Sequence, residues 1–213
     1  LGRPGLLKYR VFAAGGSGRF AGNVGGRYFT YENTNYTYSV GAQVAANLIG
    51  FTSRWDSPFL LTPAATAVAL RLGAKYDQRA QERYPAVNMG LSARSGRMIG
   101  GAEVYAKQEI NYGSQQTAWN VQFGYLAIKK TLMIAADFGQ FRATPFTVEP
   151  DQLETDLRKI RDQQQWRIAA HYYFWGNIGV ASLVYNDHLQ AEAASGAEAK
   201  HEQSIKLVAQ YRF

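Results

Sequence analysis

Apolar and polar residues alternate with a period of two along most of this chain. From Ile205 to Phe213 one parity reads Ile205, Leu207, Ala209, Tyr211 and Phe213, and the other Lys206, Val208, Gln210 and Arg212. Successive side chains of a β-strand point to opposite faces, so the pattern predicts a strand with one apolar face. Ala118–Ile128 repeats it, setting Trp119, Val121, Phe123 and Tyr125 against Asn120, Gln122 and Gly124. Thr131–Phe141 sets Leu132, Ile134, Ala136 and Phe138 against Met133, Ala135, Asp137 and Gly139. Gln165–Trp175 sets Trp166, Ile168, Ala170, Tyr172 and Phe174 against Arg167, Ala169, His171 and Tyr173. The same alternation predicts strands at Tyr36–Leu48, Val68–Tyr76, Val87–Ala93 and Ala102–Ile110. Ile178–Leu189 is a strand whose faces the pattern does not assign, and Val24–Glu32 and Leu6–Ala14 alternate more weakly.

The separators carry turn chemistry. Arg94–Arg97, Lys129-Lys130 and Gly176-Asn177 are tight, whereas Asp77–Pro85, Pro145–Gln164 and Ala191–Glu202 are longer and charged. Only Pro150–Ile160 has helical spacing, with Leu153, Leu157 and Ile160 on one face and Pro150 suited to the first turn. No linker or compositional break divides the 213 residues, so they read as one all-β domain.

Composition sharpens the class. The hydrophobic share of 46% against 18% charged residues excludes disorder, and the absence of cysteine excludes disulfide, zinc-ribbon and thiol chemistry. Mean hydropathy is −0.29, and no apolar run reaches the length of a membrane-spanning helix. The chain starts at Leu1 with no basic n-region or apolar h-region, so a signal peptide, if there is one, is expected to have been removed or left out. The polar parity is made of Gly, Ala, Ser and Asn with isolated Arg, Lys and Tyr, not the Lys/Glu/Thr mixture of a solvated sheet. That argues against a soluble sandwich or lipocalin-type barrel. The apolar parity carries Tyr, Trp and Phe near predicted strand ends. Membrane-crossing strands need about 9–11 residues with aromatic girdles at both interfaces, and the segments match that length.

The last strand, Ile205 to Phe213, ends on an aromatic residue with Tyr211 two positions earlier. In this it resembles bacterial outer-membrane β-barrels, porin-like ones in particular. The resemblance implies a transmembrane antiparallel up-and-down β-barrel of about 10–12 strands, surrounded by outer-membrane lipid and lipopolysaccharide. It also implies assembly through machinery that reads Phe213, and a periplasmic side at the tight turns. Counting back from Phe213 gives ten strands from about Val24, and Leu6–Ala14 would make eleven. Such barrels have even strand numbers, so either residues 1–20 are a plug, strap or partial strand beside a barrel of residues 21–213, or an earlier strand is missing from this chain; a twelve-strand barrel or a fragment of a larger one fits the second case.

The formal charge is +7. Arg27, Arg71, Lys75, Arg94, Lys107, Arg167, Lys206 and Arg212 all take the parity opposite lipid, joined by Lys8 and Arg10 if Leu6–Ala14 is a strand. The acids there are fewer: Glu103, Glu109 and Asp137. Lipid-facing Arg or Lys would cost roughly 2–4 kcal/mol at the midplane, so inward parity is expected, but the sign is not. A basic lumen concentrates anions. The expected function is a porin-like channel for small hydrophilic, preferably anionic solutes. The alternative is a filled barrel, with cations paired to acids, serving as receptor, adhesin or subunit of an envelope or export complex with partner chains. Residues Val148–Gln165, with Glu149, Asp151, Asp156, Arg158 and Arg161, form a loop that either folds inward as a gate or projects outward.

Catalytic chemistry finds little support. No G-x-S-x-G, P-loop, dinucleotide fingerprint or metal-ligand cluster is present, so no enzyme activity, cofactor or metal is expected. A hydrolase would need His171 or His188 beside a Ser or Asp in a cleft; Ser182 and His188 lie too far apart on one strand to meet. The basic residues form no stripe, which argues against nucleic acid.

Overall fold

The computed structural model describes residues 6–14, 36–52, 60–79, 83–149, 160–175, 178–192 and 198–211. Among the described residues ten strands run in chain order: β1 Leu7–Ala14, β2 Tyr36–Ile49, β3 Ala64–Arg79, β4 Arg83–Gly96, β5 Met98–Gln108, β6 Gln115–Ile128, β7 Leu132–Ala143, β8 Gln163–Trp175, β9 Gly179–Gln190 and β10 Lys200–Tyr211. Each pairs antiparallel with its sequence neighbours, giving one up-and-down sheet in the order β1 to β10. No described residue is helical. The segments Val24–Glu32 and Pro150–Lys159, and the residues Arg27, Arg212 and Phe213, lie outside the described residues.

The sheet is not closed among the described residues: β1 and β10 are its two ends and do not pair with each other. It is nevertheless staggered. Paired positions lead from Leu7 through Ala46, Leu70, Leu91 and Ala102 to Val121. They continue through Phe138, Trp166 and Asp187 to Gln203. Leu7 opens β1, and Gln203 lies near the opposite end of the sheet, so the strands incline across it.

The connections differ at the two ends. At one, which we call the turn end, β4 passes to β5 through Gly96 and Arg97, with Ser95 paired to Met98. Gly96 has φ +55, the left-handed conformation that a tight hairpin of this kind takes from glycine at its first central position. The β6–β7 turn is closed by the Thr131 amide donating to the Ile128 carbonyl at 3.0 Å. At the other, loop end, β3 reaches Arg79 and β4 begins at Arg83, so Asp77 and Tyr84 are strand residues, not part of the longer loop their charge suggests.

The outward face follows the apolar parity. Val44, Leu72, Val87, Met89, Val104, Val121, Phe123, Ile168, Leu183, Ile205 and Leu207 all stand exposed on it. Aromatic pairs join neighbouring strands near its loop end: Tyr38 with Tyr76, Trp119 with Phe138 at 5.2 Å, and Trp166 with Tyr185 at 5.0 Å. Toward the turn end the same face carries Tyr125, Tyr172 and Phe174. The buried apolar cluster is on the other, inward face: Leu60, Leu126, Met133, Tyr173 and Val180.

Candidate functional site: the inward face

The polar parity of β2 to β9 builds a continuous inward face with three zones. The first is a charged belt. Arg71 on β3 reaches over Gly90 to Glu103 on β5 at 3.6 Å. Arg167 on β8 donates from Nε to both carboxylate oxygens of Asp137 on β7, at 2.9 Å each. Tyr105 donates to Glu103, and Gln165 to Asn186. Glu103, Asn120, Gln122, Asp137, Gln165, Arg167 and His188 line a polar cavity of about 380 Å³.

The second zone is basic. A cavity of about 640 Å³ is lined by Arg10, Lys75 and Lys107 with Phe12, Gln43, Asn88, Tyr84, Tyr105, Gln116 and Phe141, and among the described residues by no acidic side chain. Lys75 and Lys107 lie over the Tyr84 ring, with Nζ 4.8 and 4.0 Å from its centroid. Lys75 also donates to the Tyr84 hydroxyl at 2.8 Å and stands 3.6 Å from Asp77, which is fully buried. Asp77 is an inward acid that the sequence reading missed by ending the strand at Tyr76. The parity of Arg71, Gly73 and Lys75 runs on through it, and that was the available signal.

The third zone closes the turn end. Leu60, from the segment joining β2 to β3, packs into Leu126, Met133, Tyr173 and Val180, with Leu61 and Ile99 against the cluster. The Leu60 amide donates to the Met133 sulfur at 3.4 Å, and the Lys130 amide to the Leu61 carbonyl at 2.7 Å. These contacts bring the residues just before β3 to the β6–β7 turn, three to four strands further along the sheet, so the sheet curls strongly. Gly124 allows it locally: Met133 lies where a Cβ at that position would stand. Two inward cations hold the near end of the same segment. Arg94 donates to the Phe51 carbonyl at 3.0 Å and Lys8 to the Thr52 carbonyl at 3.2 Å.

The sequence-derived cations therefore share a face but not a role. Arg71, Lys75 and Arg167 are paired with carboxylates, Arg94 holds a connection, and Lys107 faces the basic cavity. Lys206 lies exposed on β10 at the sheet's end. Glu109 is fully buried and accepts from the Arg83 and Asn111 amides at 3.1 and 3.2 Å. In the predicted gating loop, Glu149 is exposed and Arg161 donates to the Glu198 carbonyl at 3.1 Å in the neighbouring loop-end connection. Asp151, Asp156 and Arg158 lie outside the described residues.

The His–Ser contact that a hydrolase would require is present: His171 Nδ1 and Ser182 Oγ are 2.8 Å apart, on paired positions of β8 and β9. Ser182 is buried, and neither residue lines either cavity. No group of three metal-ligating side chains occurs among the described residues.

Among the described residues, fold and face define the class as a ten-stranded, all-antiparallel up-and-down sheet with one apolar and one polar face. No protein-family model matches the chain, and no curated protein matches it in sequence.

Proposed function

We propose that this chain is a bacterial outer-membrane β-barrel channel for small hydrophilic solutes, with a preference for anions. One observation carries the reading: the face that a soluble protein would hide is the exposed one. A contiguous apolar surface this large, bounded by aromatic residues toward both ends, calls for lipid, lipopolysaccharide or another apolar partner. In lipid each unpaired backbone group costs several kcal/mol, so β1 and β10 must close. Strand inclination is what closure of a barrel requires, and the stagger from Leu7 to Gln203 supplies it. The polar parity then lines a lumen, and its basic cavity favours anions. Transport is by diffusion, with no catalytic residue or cofactor, and assembly uses the aromatic C-terminal strand.

A second reading, a non-conducting barrel acting as receptor, adhesin or envelope-complex subunit, draws on the Leu60 cluster, which fills the turn end. The reversal potential in planar bilayers under a salt gradient decides between the two. Anion selectivity is expected; cation selectivity refutes the anion preference, and absence of conductance refutes the channel.

A further inference from the structure

We propose that the basic cavity between β1 and β7 is a binding site for the carboxylate of a small amphipathic organic acid. The proposal deepens the channel reading, and rests on it only in requiring that solutes reach the inward face. Pairing places Lys107 of β5 directly opposite Gln116 of β6, and Lys75 of β3 opposite Ala86, itself opposite Lys107. Two ammoniums from the strands that flank Tyr84 thus converge with one carboxamide from β6, the next strand beyond β5. Asp77 sits behind Lys75, fully buried and within 3.3 Å of the Tyr84 hydroxyl, so it fixes the lysine without lining the cavity.

Gln116 provides the second, independent observation. It is 7% exposed, it lines the cavity, and its amide nitrogen has no hydrogen-bond partner among the described residues. A buried donor left unsatisfied is costly, and native structures keep few of them without a reason. A carboxylate would accept from this amide with one oxygen and from the Lys107 ammonium with the other, as a charge-assisted pair. The remaining wall is largely apolar, with Phe12 and Phe141 among its residues, and the volume of about 640 Å³ falls in the range of small-molecule sites. A strongly hydrated inorganic anion would lose water against such a wall without recompense, whereas an apolar or aromatic body gains from it.

The test is isothermal titration calorimetry on the folded full chain in detergent micelles, with 3-phenylpropionate as probe. 3-Phenylpropan-1-ol and inorganic phosphate serve as comparators. Saturable binding of 3-phenylpropionate is expected, at least tenfold tighter than either comparator, and weakened at least tenfold in Lys107→Gln and in Gln116→Leu. Equal binding of the alcohol or of phosphate overturns the proposal, as does no saturable binding, or unchanged affinity in both variants while they keep the folded electrophoretic mobility of the parent. Reversal potentials on the same preparation keep the two readings apart. Binding without conductance refutes the channel alone, and conductance without binding refutes this site alone.

Discussion

Replacing Leu60 by alanine should open the turn end of the inward face without unfolding the sheet. Leu60 is 6% exposed and packs against Leu126, Met133, Tyr173 and Val180. Truncating a buried leucine to alanine costs about 2–5 kcal/mol, depending on how well the site refills. Here the cluster borders the polar inward face, so water can enter the vacated space, and the lower end of that range applies. The strands keep their ladders, and the Leu61 carbonyl keeps its bond from Lys130, so the loss falls on the docking of the β2–β3 segment. At about 1.4 kcal/mol per factor of ten, a loss of about 2 kcal/mol lowers the ratio of docked to undocked segment by about 30-fold. Single-channel recording in planar bilayers should therefore show a higher open probability for Leu60→Ala than for the parent. Leu60→Met conserves volume and should behave like the parent. A Leu60→Ala protein that folds, by its heat-dependent electrophoretic shift, and conducts like the parent would refute the idea that this cluster obstructs the lumen.

Three further outcomes are expected. Val121→Arg places a cation on the outward apolar face and should lower stability in liposomes by about 2–4 kcal/mol by urea titration, whereas Asn120→Arg, one residue away on the inward face, should be tolerated. Asp137→Asn should increase anion preference by leaving Arg167 without its carboxylate, and Arg167→Gln should shift the reversal potential toward cations; shifts of the same sign in both would contradict a lumen position for the pair. Cysteines at Val11 or Ala13, combined with Leu207 or Ala209, should cross-link within one chain in at least one combination if β1 closes on β10, and in none if the sheet stays open.

What was legible in the sequence is what a period of two encodes. Trp119 and Val121 stand outward and Asn120 inward because neighbouring positions of a strand cannot do otherwise, and no tertiary contact is needed to say so. Strand ends were less legible. Asp77 and Tyr84 are polar enough to suggest a loop, yet they are held in β3 and β4 because Tyr84 bonds to the buried Asp77. The basic cavity was not legible at all, since it depends on which residue of β6 pairs with Lys107, and register is set by turns that the pattern does not locate to the residue. The Leu60 cluster left a trace that was overlooked. Leu126, Met133 and Tyr173 are apolar residues on the otherwise polar parity, all close to tight turns, and so many apolar residues facing water would need a partner. That the partner comes from the β2–β3 connection is a long-range contact, which no local pattern reveals.

The inward cations also change what the net charge means. A positive total suggests a lumen that attracts anions everywhere, but the pairs divide the work. An arginine 2.9 Å from a carboxylate, as in Arg167 with Asp137, presents a dipole whose field falls away faster than that of a lone charge, and Arg71 with Glu103 at 3.6 Å does much the same. Arg94 and Lys8 are committed to the carbonyls of Phe51 and Thr52. On the channel reading, anion preference would rest mainly on the basic cavity, where Arg10 and Lys107 face the same space as Lys75 and no described acidic side chain lines the wall. Selectivity should therefore respond strongly to substitutions at Arg10 and weakly to the simultaneous loss of Arg71 and Glu103. A barrel whose total lumen charge set its selectivity would respond to Arg10 no more than to any other single inward cation.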